Sequence, residues 1–228
     1  AETCKKQEII YCGGHTEVSA GVPRPIISGH MIGETELDQL ILKKNARAGD
    51  HIVLAQPIAV EGTSIIAREH AEKLRQKLTS EFIEKCQELL FNPGISVIRA
   101  ARIAIETVSV HAMHDPTEGG LTTAVYELAH AAGLGVCIHE NRIPVLESTR
   151  ILCQIFDLDP LGLIASGSLL IACAEQQVEL LLQALNSTGI QSADIGEFMY
   201  ADKGYVLIRD SRKTQLPVFS QDEIVKLL

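Results

Sequence analysis

The sequence predicts an α+β or α/β fold, with helices layered on a mixed sheet, and three observations carry that prediction. Between residues 64 and 91, Ile66, His70, Leu74, Leu78, Phe82, Cys86 and Leu90 recur every four positions, the spacing of one helix face. Beyond residue 94, short β-branched runs alternate with stretches of helical period. Between these regions Asn92-Pro93-Gly94 stops a helix more abruptly than any other mid-chain position. A domain boundary is therefore expected there, dividing the chain into 1–92 and 93–228.

In chain order, residues 26–32 (Ile-Ile-Ser-Gly-His-Met-Ile) read as a strand, with His30 a satisfied core histidine. Residues 51–60 (His-Ile-Val-Leu-Ala-Gln-Pro-Ile-Ala-Val) are β-rich and are expected in the same sheet. The polar stretch between them ends in the turn-like Ala-Gly-Asp at 48–50. One or two amphipathic helices fill 64–91. A helix over 95–107, a strand over 108–112, a turn, a helix ending at Ala132 under a Gly133 cap, and a strand over 136–139 come next. They are followed by a helix over 149–156, a strand over 167–174, a helix over 175–186, and strands over 193–198 and 205–209. The amphipathic tail, 220–228, is expected to dock as a terminal helix.

Residues 113–130 carry the clearest chemical signal, an acidic, hydroxyl-bearing turn and a glycine pair directly before an amphipathic helix. Pro116 fixes φ, Gly119 and Gly120 let the backbone approach a ligand closely, and the free N–H groups of a helix start favour an anion. Asp115 and Glu118 offer carboxylates to a hard cation. Read structurally, the same turn is an ordinary helix cap. A second element lies at residues 9–17, where Ile-Ile-Tyr-Cys-Gly-Gly-His-Thr-Glu runs an apolar segment into a glycine pair followed by polar side chains.

Together, Gly-Gly-His-Thr-Glu at 13–17 and His-Asp-Pro-Thr-Glu-Gly-Gly-Leu at 114–121 resemble motifs of the aminoimidazole-ribonucleotide (AIR) synthetase superfamily. That superfamily includes hydrogenase-maturation dehydratases, selenophosphate synthetases and thiamine-phosphate kinases, and the likeness points in particular to hydrogenase-maturation and AIR synthase related proteins. The resemblance runs from about residue 9 to residue 210. It implies that residues 1–92 are the remainder of an N-terminal ATP-binding domain whose sheet contributes to a dimeric barrel, and that 93–228 are a complete C-terminal layered domain. The first part of the N-terminal domain is then missing, as in a fragment or one half of a split protein. It further implies ATP and Mg2+ as cofactors and a homodimer with nucleotide bound at the domain cleft. Gly13, Gly14, His15, Thr16, Thr117, Gly119 and Gly120 would contact the nucleotide, and Glu17 and Asp115 the magnesium. Asp115 and His114 would act catalytically, His114 as phosphate donor or general acid. His15 stands where many relatives have Asp or Glu. A neutral imidazole is a poor magnesium ligand, so His15 is expected to bond phosphate or fix the loop.

The reaction so implied is ATP-dependent activation of a carbonyl, amide or similar poor nucleophile. In the hydrogenase-maturation branch the acceptor sits on a C-terminal cysteine. Here residues 223–228 read Glu-Ile-Val-Lys-Leu-Leu, without that cysteine, so a different acceptor, small-molecule or protein-borne, is expected. The alternative is a non-catalytic nucleotide-binding or regulatory relative, or a fragment needing a partner half, which would bind without turnover.

Composition narrows the classes further. A net charge of −9 and 4% aromatic residues leave no basic field or stacking platform for nucleic acid. No apolar run approaches a membrane span, and the polar N-terminus is unlike a signal peptide, so a cytoplasmic protein without a membrane partner is expected. Six cysteines lack a Cys-x-x-Cys pair, which argues against zinc ribbons. Cys137 and Cys173 read as core thiols, and Cys12, beside Gly13, as a packed strand end, with exposure to a nucleotide as the alternative. His111, His114 and Asp115 invite a two-His, one-carboxylate metal reading, but three-residue spacing on a strand turns the imidazoles to opposite faces. His51, His70, His130 and His139 show no convergent partners. Walker-type, dinucleotide-type and nucleophile-elbow glycine motifs are all missing. Ser166-Gly167-Ser168 resembles a glycine-containing strand start that lines the family's cleft, and reads equally as a turn or bulge.

Overall fold

Alternation along one strand sets the architecture. In β1 (Asp50–Ala55), Ile52 and Leu54 face one apolar layer and Val53 and Ala55 the other, all fully buried. A strand buried on both faces needs helices above and below it, and the chain supplies them. The computed structural model describes residues 2–227. The chain divides into two units, Ala1–Gln39 and Leu40–Leu228.

In the first unit, α1 (Glu2–Lys6) is followed by irregular backbone up to a 3-10 turn at Leu37–Gln39, and no described residue is buried. The strand expected over 26–32 is not formed. Ile27 is 93% and Ile32 84% exposed, and His30 is exposed rather than a core histidine. A strand stands only when a neighbour accepts its N–H and C=O groups. Among the described residues of this unit there is no second strand to pair with it.

The second unit follows the predicted order closely. After β1 come α2 (Val60–Glu69), α3 (Ala71–Leu74), α4 (Ser80–Glu88), α5 (Ile98–Thr107), β2 (Val110–His114) and α6 (Gly120–Ala132). Then follow β3 (Gly135–His139), α7 (Glu147–Phe156), β4 (Leu169–Ala174), α8 (Val178–Ser187), β5 (Ser192–Met199), β6 (Tyr205–Arg209) and β7 (Arg212–Gln215). β7 escaped sequence reading because Arg-Lys-Thr-Gln has no apolar alternation, as suits an exposed sheet edge. The tail forms a 3-10 turn, Glu223–Leu227, instead of an α-helix.

The seven strands lie in the order β2-β4-β1-β5-β3-β6-β7, antiparallel except for β3 beside β6. One face carries the larger core, where Ile52, Leu54, Ile138 and Leu207 meet Ile66, Leu128 and Leu152 from α2, α6 and α7. On the other face Val53, Ile171 and Cys173 pack with Ala104 of α5 and Leu181 of α8. Each fully buried Leu or Ile contributes about 1.5–3 kcal/mol. Asn92-Pro93-Gly94 ends a π-helical turn inside this unit, and β1, before it, pairs with β4 and β5, after it.

Candidate functional site

β2 delivers the acidic turn at its carboxyl end, and α6 leads away from it. His111 and His114 on β2 have separate partners. The His111 Nδ1–H donates between the two oxygens of the nearly buried Asp50, at 2.8 and 2.9 Å, and Asp50 also accepts the Arg47 N–H at 2.8 Å. His114 Nε2–H donates to Glu127 on α6 at 2.7 Å, while Lys43 pairs with the same carboxylate at 3.8 Å. The other ring nitrogen, Nδ1, lies 3.7 Å from Asp115 Oδ1, so the imidazole sits between two carboxylates. Asp115 itself is 62% exposed and thus open to a ligand.

The turn that follows is fixed by backbone. Gly119 and Gly120 have φ of +78° and +67°, the left-handed region that favours glycine. A Cβ on Gly120 would run into the Leu161 carbonyl oxygen. The Thr117 carbonyl accepts the Gly120 N–H at 3.1 Å and the Ala165 N–H at 3.3 Å, and the Thr122 N–H donates to the Leu161 carbonyl at 3.3 Å. The Gly119 N–H donates to the Asp222 carboxylate at 2.8 Å, a contact spanning 103 residues. Asp222 also accepts from Ile164 N–H at 3.1 Å and from Ile224 N–H at 2.9 Å. Glu223, 5% exposed, accepts the Asp159 N–H at 2.9 Å and donates its own N–H to the Gly162 carbonyl at 3.1 Å. The chain's tail therefore clasps the acidic turn and the loop before β4.

The remaining candidates divide by unit. His114, Asp115, Thr117, Gly119 and Gly120 share this one turn. Gly13, Gly14, His15, Thr16 and Glu17 form a separate, fully exposed segment of the first unit, with nothing within 4 Å of a Cβ built on Gly13. Gly167, at φ +102°, packs against the Gly94 carbonyl, and Ser168 donates to the Pro57 carbonyl at 3.0 Å, so that loop braces β4 on the start of α2. Burial raises the thiols of Cys86 and Cys173 to about 11 and that of Cys153 to about 12. His51 does have a partner, Asp194 at 3.0 Å, and burial lowers the pKa of His139.

Sequence reading missed Asp222, Glu127, Lys43 and Glu61. Glu61, at the start of α2, has a buried Oε2 with no hydrogen-bond partner among the described residues. None of the four carries a local pattern; Asp222, Glu127 and Lys43 owe their positions to contacts made across the fold.

Residues 47–209 match the family described as AIR synthase related protein, C-terminal domain. A putative hydrogenase expression/formation protein of Methanocaldococcus jannaschii is 28% identical over 208 residues, 90% of this chain and 59% of that protein. Carbamoyl dehydratase HypE of Escherichia coli K12 is 29% identical over 203 residues, 86% of this chain and 56% of that one. A crystal structure of E. coli HypE, a hydrogenase maturation protein, superposes with a TM-score of 0.67 at 25% identity, covering 83% of this chain and 56% of that one. A structure of HypE in complex with ATP shares the fold at 24% identity and a TM-score of 0.60, over 83% of this chain and 56% of that one. The chain thus spans a little over half the length of these relatives.

Proposed function

Because this chain belongs to the AIR synthase related protein family and carries its C-terminal domain, we propose that it is the C-terminal portion of an ATP-dependent enzyme that phosphorylates a carbonyl, amide or similar poor nucleophile. The observation that carries this reading is the exposed Asp115 beside an anchored His114, on a glycine turn at the carboxyl end of β2. Relatives named carbamoyl dehydratase and a HypE solved with ATP support the nucleotide. Because the chain covers only part of those proteins, their activity is carried over here as a proposal.

Asp115 suits magnesium held largely by phosphate oxygens and water, which needs one or two protein carboxylates. Among the described residues no group of three or more His, Cys, Asp or Glu is placed for an all-protein cage. When bound, magnesium would offset phosphate charge during transfer. Glu17 and the Gly13–Thr16 residues are assigned to the same nucleotide, and a homodimer to the whole protein. His114, whose Nε2 is engaged by Glu127, is assigned as the phosphate donor or general acid beside Asp115.

Isothermal titration with MgATP tests the reading. Asp115→Ala is expected to weaken binding at least tenfold, the size expected for loss of a charge-assisted contact of about 1.5–3 kcal/mol. Unchanged affinity in that variant removes the site. Phosphate release then separates an enzyme from a relative that binds without turnover.

A further inference from the structure

We propose that Glu127 is a positioning residue for His114: it accepts the Nε2–H, holds the ring in one orientation and one tautomer, and leaves Nδ1 as the ring atom that meets the nucleotide. This rests on the nucleotide reading above and names the atom through which His114 acts there. Nε2 lies 2.7 Å from Glu127 Oε2 and 3.3 Å from Lys43 Nζ. A bare Nε2 could accept from that ammonium, but its lone pair would then face a carboxylate oxygen at 2.7 Å, a repulsive contact. The proton is therefore assigned to Nε2, and Lys43 pairs with the Glu127 carboxylate at 3.8 Å. In the neutral ring the lone pair is then on Nδ1, and a proton that His114 takes or gives in the proposed reaction passes through that atom.

Rigid elements hold both partners. The His114 backbone is fixed at the end of β2, opposite Leu170 of β4. Glu127 precedes the fully buried Leu128 on α6, whose apolar face is seated on the larger core. The 3-10 turn Lys43–Asn45 packs against both β2 and α6. Side chains carried on such elements keep their geometry better than side chains on loops. The His114 side chain is only 12% exposed, yet no hydrogen bond to its Nδ1 is formed among the described residues, and Asp115 Oδ1 on that side is 3.7 Å away. One ring nitrogen is tied to the fold and the other is left without a protein partner beside an exposed carboxylate. In this way a fixed acceptor selects the working nitrogen of a histidine.

The test is NMR of the full chain carrying 15N-labelled histidine, with and without MgATP, together with MgATP titration and phosphate release for wild type, Glu127→Ala, Glu127→Gln and Lys43→Ala. Wild-type His114 is expected to show the Nε2–H tautomer, and MgATP to shift the Nδ1 signal more than the Nε2 signal. Glu127→Ala is expected to lose the single tautomer and about tenfold in kcat, with KM for MgATP within about twofold. Glu127→Gln keeps an acceptor oxygen and should restore both. Lys43→Ala should keep the tautomer, since it removes a charge and not the acceptor. An Nδ1–H tautomer in wild type, a Glu127→Ala protein with the wild-type ring signals and turnover, or an Nδ1 signal unmoved by bound MgATP overturns the proposal and leaves the nucleotide reading standing. If wild type does not bind MgATP, both fall. If it binds without turnover, the ring signals of wild type and Glu127→Ala decide. Should Glu127→Ala fail to melt cooperatively, the wild-type tautomer and its response to MgATP decide alone.

Discussion

Single buried groups set how this protein responds to pH. The thiols of Cys86 and Cys173, at about 11, and of Cys153, at about 12, lie above the ordinary value of 9.0 because burial penalises the thiolate. A pKa raised on folding means that the unfolded chain loses its protons first as pH rises. Their contribution is therefore intact below pH 9 and is lost progressively between there and the folded-state values. The thermal midpoint is expected to decline steadily above pH 9, and a Cys153→Ala, Cys173→Ala double variant should decline less steeply. Disulfide-exchange reagents should label Cys12 and Cys4 in the native protein and the four buried thiols only on unfolding. Rapid native labelling of Cys153 would contradict its burial. At this scale the core thiols Cys137 and Cys173 and the glycine turn were readable, since residue type and spacing express them directly. Asp222 was not readable. It looks like any surface aspartate until a partner 103 residues away is brought to it.

Elements whose stabilising pattern lies within their own sequence were the legible ones. In α6, Leu121, Ala124, Val125, Leu128 and Ala129 repeat at helical spacing, all are buried, and Gly133 closes the helix at φ +68°. Leu128→Ala is expected to cost about 2–5 kcal/mol in urea unfolding, with the denaturant slope unchanged, since it leaves a cavity under the sheet. A cost below about 1 kcal/mol would show that α6 is not seated on the core as described. Strands depend on neighbours, and there the sequence spoke less clearly. Residues 26–32 have the composition of a strand but no partner strand among the described residues of their unit. β7 has a partner in β6 but no apolar pattern to announce it. β2 begins two residues later than expected, where a register shift against β4 between Val110 and Ala112 accommodates the turn into the sheet.

On the scale of the whole molecule, stability and the proposed ligand site draw on different parts of the chain. Among the described residues, all that are buried belong to the unit beginning at Leu40, whereas residues 2–39 expose Ile10 at 86%, Val18 at 98% and Ile27 at 93%. Folding free energy comes mainly from apolar area removed from water, so the first segment contributes little of it. A protein beginning at Leu40 is therefore expected to unfold in one cooperative transition, with its thermal midpoint within a few degrees of the full chain's, the shift that about 1 kcal/mol produces at this size. If Gly13, Gly14, His15, Thr16 and Glu17 hold the nucleotide, that shortened protein should lose MgATP affinity while keeping its melting behaviour. The two measurements answer separate questions. A broad or absent transition would mean that the core needs the first segment. Full MgATP affinity would mean that the Gly-Gly-His-Thr-Glu element takes no part and that the turn at Asp115 binds alone. Cooperative unfolding with binding lost would assign the fold to the unit beginning at Leu40 and a share of the nucleotide affinity to residues 2–39.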